Sequence, residues 1–251
     1  MKDLLDIATS TLASSCRFWN GTVASKNVAQ PEKMLILFDQ EGCSECRLVR
    51  EVLTELNLNV IVAPCPIGGQ NLSKFKSAFN DVNPPMLVDL NSQSAIKGAE
   101  EIVCHLFQQY KGIEAPKGFV CRLKNSLTSK LATGVRLGAG LKAKRSQQPE
   151  QPLILYSFES SPFSRPVREC LCELELTYIL INLGKQQLSD MGAANFRWTI
   201  KTYTPLPNTK RDDFFKLHGK VQVPYLLDPN TGAELFESKD ILRYLQQTYA
   251  L

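Results

Sequence analysis

A stretch of this chain is written twice. Leu35-Ile36-Leu37-Phe38 leads to Cys43-Ser44-Glu45-Cys46-Arg47 and then Val49-Arg50-Glu51, while Leu153-Ile154-Leu155-Tyr156 leads to Ser161-Pro162-Phe163-Ser164-Arg165 and Val167-Arg168-Glu169. The offset is 118 residues throughout. Downstream, Pro85-Met86-Leu87-Val88-Asp89 matches Pro224-Tyr225-Leu226-Leu227-Asp228, and Ile102 with Leu106 matches Ile241 with Leu245, at an offset of 139. The second copy has therefore gained about 21 residues, which fit between Asp190 and Lys210. The lead-ins also correspond: Thr9-Ser10-Thr11-Leu12-Ala13 with Arg17 parallels Thr128-Ser129-Lys130-Leu131-Ala132 with Arg136. Any fold assigned to one copy must be satisfied by the other, which removes most alternatives at once.

Within each copy the periodicities change in a fixed order. Met34 to Phe38 is a short apolar run of strand type, and Leu48, Val49, Val52, Leu53 and Leu56 then recur with helical spacing. Val60 to Ala63 reads as a second buried strand, which makes a right-handed β-α-β unit with parallel strands. After a variable helical stretch, Met86 to Asp89 is a third strand. Asn91-Ser92, or Asn230-Thr231-Gly232 in the second copy, turns a hairpin. An amphipathic helix closes each copy, from about Glu100 to Tyr110 and from Asp240 to Tyr249.

This β-α-β-α-β-β-α order resembles the thioredoxin fold, given a Cys-x-x-Cys at the first strand-to-helix turn and a proline opening the third strand. The resemblance implies that Pro85 and Pro224 are cis and face that turn. More narrowly, Val223-Pro224-Tyr225-Leu226 with Glu237-Ser238 resembles the glutathione-binding N-terminal domain of glutathione transferases. Ser161-Pro162-Phe163-Ser164 is similar to a glutaredoxin motif with both sulfurs replaced by oxygen. The expected organisation is a helical lead-in (residues 1–33), a first thioredoxin-like domain (34–112), a basic and partly helical connector (113–152), and a second thioredoxin-like domain (153–251). The all-helical domain that follows in transferases is not expected.

Cys43 is placed at the N-cap of the first helix, where unsatisfied backbone N–H groups and the positive end of the helix dipole favour an anion. A thiolate is such an anion, and Cys-x-x-Cys turns at helix starts commonly lower the cysteine pKa from about 8.5 toward 7. Arg47 and Arg50 are expected to assist ionisation and Glu41 and Glu45 to oppose it. Cys46, one turn further in, is then the resolving thiol. Cys65 follows the second strand, whose C-terminal end lies on the same sheet edge, so it is a possible third thiol; its bland reading is a buried small residue. Three thiols could relay a disulfide, or hold zinc or an iron–sulfur centre with a fourth ligand, but no second Cys-x-x-Cys or Cys-x-x-His follows and no metal is expected. Cys104 and Cys170 are read as core-facing, Cys172 as helical, and nothing assigns Cys16 or Cys121 a task.

In the second copy Ser161 stands where Cys43 stands in the first. A serine followed by Pro162 is an ordinary helix start, yet its hydroxyl is also what several transferase classes use to hold the glutathione thiolate. By the same resemblance, Glu237 and Ser238 hold the γ-glutamyl end at a helix start, Val223 and cis Pro224 present backbone to the cysteinyl amide, and Arg165 lies in the matched motif. The first copy has Gly98-Ala99 in place of Glu-Ser. His105 and His218, the latter in a loop-like stretch, are read as structural.

With 251 residues, 43% hydrophobic and 22% charged, the chain has an ordinary globular balance. No run approaches the roughly 18 apolar residues of a membrane span, and Asp3 and Asp6 at the start do not suit an export leader. Eight cysteines are too sparse for a disulfide scaffold, so a reducing cytoplasm is expected. Lys111 to Arg145 is strongly basic, but it lacks aromatic interleaving, so nucleic acid is not an expected partner. Phe119, Leu123, Leu127, Leu131 and Val135 recur every four residues, and Leu5, Ala8, Leu12 and Trp19 form a similar stripe. The first is expected to be a solvated helix docked on one domain; the second, to pack on a domain or on another subunit of a homodimer. The expected function is glutathione-linked disulfide oxidoreduction, with glutathione as co-substrate and protein or small-molecule disulfides as partners. Conjugation at Ser161 and a non-enzymatic adaptor or metal-binding role are the alternatives.

Overall fold

Each apolar run forms a strand buried at alternate positions and half-covered between them, as a sheet with helices on both faces requires. The computed structural model describes residues 2–26, 28–117, 122–194, 196–200 and 202–251. After helix α1 (Lys2–Cys16), the first repeat runs β1 (Leu35–Asp39), α2 (Ser44–Glu55), β2 (Val60–Pro64), α3 (Gln70–Ala78), β3 (Met86–Asp89), β4 (Ser94–Lys97) and α4 (Ala99–Lys111). Helix α5 (Arg122–Val135) leads into the second: β5 (Leu153–Ser157), α6 (Arg165–Glu173), β6 (Tyr178–Asn182), the insertion, α7 (Lys210–His218), β9 (Tyr225–Asp228), β10 (Ala233–Phe236) and α8 (Ser238–Tyr249). The insertion holds a 3₁₀ turn at Leu188–Asp190 and a small hairpin, β7 (Gly192–Ala193) with β8 (Phe196–Arg197). Both repeats have the thioredoxin-like order, and no all-helical domain occurs among the described residues.

The two half-sheets are one sheet of eight strands, ordered β10-β9-β5-β6-β2-β1-β3-β4. They join where β2 and β6 pair antiparallel, with Val60 opposite Leu180, Ile61 opposite Ile179 and Val62 opposite Tyr178. Ile61 and Ile179 are the same position of the two repeats, so a local two-fold axis passes between them. Pairing the two strands removes two exposed edges and their unpaired backbone groups. A single apolar core follows, containing Val60 and Val62 of one repeat with Tyr178 and Leu180 of the other.

The lead-in helices pack against each other, and each touches the opposite repeat: α1 lies on α6 and α5 on α2. Their exits then cross over. Ile67 N–H donates to Leu141 O at 2.7 Å and Ala143 N–H to Ile67 O at 3.0 Å, while Ala24 N–H donates to Lys185 O and Lys185 N–H to Thr22 O, each at 2.8 Å. Gly21 (φ +73°) and Gly140 (φ +77°) make these crossings possible, since a Cβ would come within 2.8 Å of Glu159 Cβ and 2.9 Å of Glu41 Cβ respectively.

The structure departs from the sequence expectation at several positions. Leu5, Leu12, Trp19, Leu127 and Leu131 are exposed; the lead-ins bury Ser10, Ala13, Ser14 and Arg17 in or just after α1, and Ser129, Ala132 and Arg136 in or just after α5. Small residues let the helices approach closely, which outweighs covering the leucines. Cys104 is exposed, not core-facing. His218 ends helix α7 and stacks among Phe214, Tyr225 and Phe236, whereas His105 bonds Asp89 at 2.8 Å. Phe119 and Cys121 lie outside the described residues, as does the side chain of Leu123.

Candidate active site

Cys43 is half-buried, with extended backbone (φ −76°, ψ 133°), as the N-cap of α2. Its N–H donates to Gln40 O at 3.0 Å and its carbonyl accepts from Arg47 N–H at 3.2 Å, so the turn is fixed on both sides of the sulfur. The thiol is brought down to about 7, chiefly by a hydrogen bond from the Cys46 side chain and then by the backbone N–H groups of Cys46 and Glu45; burial and the Asp39 carboxylate pull the other way. Cys46 is fully buried and pushed well up, first by desolvation and then by Cys43 itself. Gln40 N–H lies 3.4 Å from its sulfur. One thiol is therefore about half ionised at neutral pH while its partner stays protonated.

Pro85 follows a cis bond to Pro84 and Pro224 a cis bond to Val223. Cys65 packs with Phe75 and Met86 in a small apolar cluster, its sulfur 3.6 Å from Ala63 O, and burial pushes its thiol up to about 12. Its backbone N–H donates to Asp39 O at 2.7 Å, so it flanks the dithiol turn through its main chain. The wall over that turn comes from the other repeat's lead-in. Thr133 Oγ1 donates to Gly42 O at 2.9 Å, Ser129 Oγ donates to Ser44 O at 2.8 Å, and Leu141 stands over Gly42, where a Cβ would meet its Cγ at 2.5 Å.

Arg47 and Arg50 are not among the main influences on Cys43, although Arg50 favours the thiolate of Cys46. Their guanidinium groups, with those of Arg165 and Arg168, are buried at the junction of the repeats. Arg50 holds Asp39 at 2.6 and 2.8 Å and donates to Glu159 at 3.0 Å, while Arg168 donates to Glu41 at 3.0 Å and lies 3.0 Å from Glu159. Arg47 donates to Ser129 O at 2.7 Å, and Arg165 donates to Ser14 Oγ at 3.1 Å. On the flanks Arg17 grips Glu51 and Arg136 grips Glu169, each with two hydrogen bonds. The four arginines hold Glu159 down to about 2 against its desolvation. Asp39 is raised to about 6, since burial outweighs Arg50 and the neighbouring Glu41 and Glu159 add to the rise. The signal for this cluster was present as an Arg-x-x-Arg-Glu pattern and a glutamate, Glu41 or Glu159, repeated at one offset.

In the second repeat the helix starts at Arg165, not at Pro162: Arg165 N–H closes one turn on Ser161 O at 3.1 Å, but Pro166 has no N–H to donate to Pro162 O, so that turn does not run on into the helix. Residues 162–164 form a turn instead. Ser161 is 1% exposed, and its Oγ accepts from Ser164 N–H at 3.2 Å and Ser164 Oγ at 2.9 Å. The neighbouring Ser160 bonds Thr22 from the first lead-in. Glu237 is exposed at the N-cap of α8 with φ 65°, bonded by Gln222 Nε2, and Ser238 opens the helix. Arg165 lies in the buried network, away from this exposed cradle. Beside the cradle the insertion contributes to an open cavity of about 580 Å³ lined by Arg197, Tyr203, Phe215, Lys220 and Gln222. No cluster of three His, Cys, Asp or Glu residues suited to a metal occurs among the described residues, and no helix is long and apolar enough to cross a membrane.

The family model described as "Glutathione S-transferase, N-terminal domain" matches residues 37–114 and again 155–251. Neither a curated protein nor a solved structure matches the chain.

Proposed function

Because this chain belongs to the family of the glutathione S-transferase N-terminal domain, in two consecutive copies, we propose that it is a glutathione-linked thiol–disulfide oxidoreductase. The observation that carries the reading is the split between its two thiols, Cys43 lowered to about 7 and Cys46 held well above its ordinary value. A nucleophile with pKa near ambient pH and a protonated neighbour suit thiol–disulfide exchange.

The Cys43 thiolate attacks one sulfur of a protein or small-molecule disulfide, forming a mixed disulfide and releasing the other half as a thiolate. Cys46 then loses its proton and attacks Cys43 Sγ, which expels the second thiolate and leaves an internal Cys43–Cys46 disulfide. The substrate has gained two electrons from the dithiol. Two glutathione thiols restore it and leave as glutathione disulfide. Such a cycle belongs in a reducing compartment such as the cytoplasm. Glu237, Ser238 and the backbone of Val223 are the proposed glutathione contacts of the second repeat. Ser161 enters only if its hydroxyl becomes accessible, and its burial weighs against a conjugation reaction centred there.

Mass spectrometry after exposure to glutathione disulfide tests the reading. Cys46→Ser is expected to retain one glutathione on Cys43, and the wild-type protein to proceed to the internal disulfide. If Cys43 takes up no glutathione in either protein, the proposal fails.

A further inference from the structure

Residues 111–145 hold nine lysines and arginines against Glu114 alone, a net charge of +8 in a chain whose total is +4. None of these cations has a part in the disulfide exchange. Arg136 is held inside the fold by Glu169, whereas Lys111, Lys117, Lys130, Lys142, Lys144 and Arg145 are exposed, Lys144 in a pair with Glu173. Helix α5 lies within this stretch and carries no aspartate or glutamate. The same helix shows solvent an apolar stripe. Residues three and four apart on a helix share a face, and the exposed Leu127, Lys130, Leu131 and Gly134 follow that spacing, with Leu137 94% exposed just beyond. Alongside, α1 exposes Leu5, Ala8, Leu12 and Ser15, while its Asp6 is turned to Arg136 at 3.3 Å. Bonds from Arg17 to Thr128 and from Arg136 to Thr9 make the two helices antiparallel neighbours. Phe18, 76% exposed, and Trp19 therefore lie beside the first half of α5, and Leu137 beside the first half of α1.

We propose that this face of the lead-in helices lies on an anionic phospholipid surface. Lys130 stands between Leu127 and Leu131, so an apolar partner would strip water from its ammonium and return no counter-charge. A lipid phosphate returns one, while the lysine stem lies along the leucines. Nucleic acid would answer the cations through its phosphates but leave the leucines and Phe18 in water. At a bilayer those side chains enter the boundary between headgroups and acyl chains, and the indole of Trp19 sits at headgroup level. Each lysine or arginine brought near an anionic bilayer adds about fivefold to the binding constant. The rest of the chain is net negative and is repelled, so the charge separation also orients the contact.

The inference is independent of the dithiol chemistry and is tested on the full reduced chain with sucrose-loaded vesicles of phosphatidylcholine containing about 30% phosphatidylglycerol. The protein is expected to sediment with these vesicles, to stay in solution with phosphatidylcholine alone, and to be released by about 0.5 M salt. Leu12→Glu with Leu131→Glu should bind at least about tenfold more weakly and keep the wild-type circular dichroism and Tm, since both residues are exposed. Lys130→Glu should weaken binding in the same direction. A protein that does not sediment overturns the proposal, as does equal binding to neutral and anionic vesicles. Binding that the leucine changes leave intact overturns it too, as adhesion of the basic stretch alone. A soluble dimer that ignores vesicles and is dissociated by the leucine changes overturns it in favour of a second copy.

Discussion

Replacing Glu159 by glutamine keeps its shape and removes the charge on which four buried arginines converge. Glu159 Oε2 lies 3.0 Å from Arg50 and 3.0 Å from Arg168, and Oε1 lies 3.8 Å from Arg47 and 3.6 Å from Arg165. Removing one partner of a buried ionic cluster costs about 3–5 kcal/mol, because the remaining charges stay desolvated. Holding the carboxyl at about 2 instead of 4.5 likewise corresponds to about 3 kcal/mol of folded-state preference for its ionised form. Urea unfolding at pH 7 should therefore find Glu159→Gln about 3–5 kcal/mol less stable, with Tm lower by roughly 6–20 °C. Glu45→Gln, on the exposed side of α2, should change stability by less than about 0.5 kcal/mol. The sign with pH also follows. Since the folded pKa of Glu159 lies below its unfolded value, its contribution is complete above about pH 5 and fades as pH falls toward 2. Asp39 runs the other way: its folded pKa is raised, so its contribution is present below about pH 4 and lost as pH rises through 6. A Glu159→Gln protein within 1 kcal/mol of wild type would refute the cluster's role in holding the repeats together.

Asp39→Asn removes an anion near both thiols, so the pH profile of Cys43 alkylation by iodoacetamide should move to lower pH; an unchanged profile would separate Asp39 from the dithiol. Gly42→Ala places a Cβ 2.5 Å from Leu141 Cγ and 2.8 Å from Ala139 O, and unfolding should register a loss of about 1–3 kcal/mol. Ser161→Cys puts a thiol where the wild-type residue is 1% exposed, and native-state labelling should find it at least tenfold slower than Cys43; equal rates would mean that the second repeat's turn opens freely.

Much of this fold is legible in the sequence because burial leaves periodic marks. β1 and β5 are plain as apolar runs, and the shift from 118 to 139 locates the insertion that the hairpin at Gly192–Arg197 occupies. What escaped reading has no such mark. A strand covered by helices on both faces looks the same whether its edge is free or paired, so β2 gave no sign of meeting β6. Arg47 and Arg50 follow a candidate nucleophile, and helping a thiolate is the obvious task for a cation there; their partner Glu159 lies more than a hundred positions away. The leucines of α1 and α5 suggested burial, while the faces that are buried carry serine and alanine, which amphipathic patterning scores weakly.

The crossing of the lead-ins sets the stoichiometry of the site. Were the repeats separate chains, the wall over the dithiol turn would arrive only with a partner, and dilution below the dissociation constant would strip Leu141 from Gly42 and Thr133 from its carbonyl. On one polypeptide the partner is present at the effective concentration of a tether, commonly millimolar, whatever the abundance of the protein. Each dithiol turn then has one wall of one sequence, supplied in cis, and a change in either half alters one surface of the site instead of two.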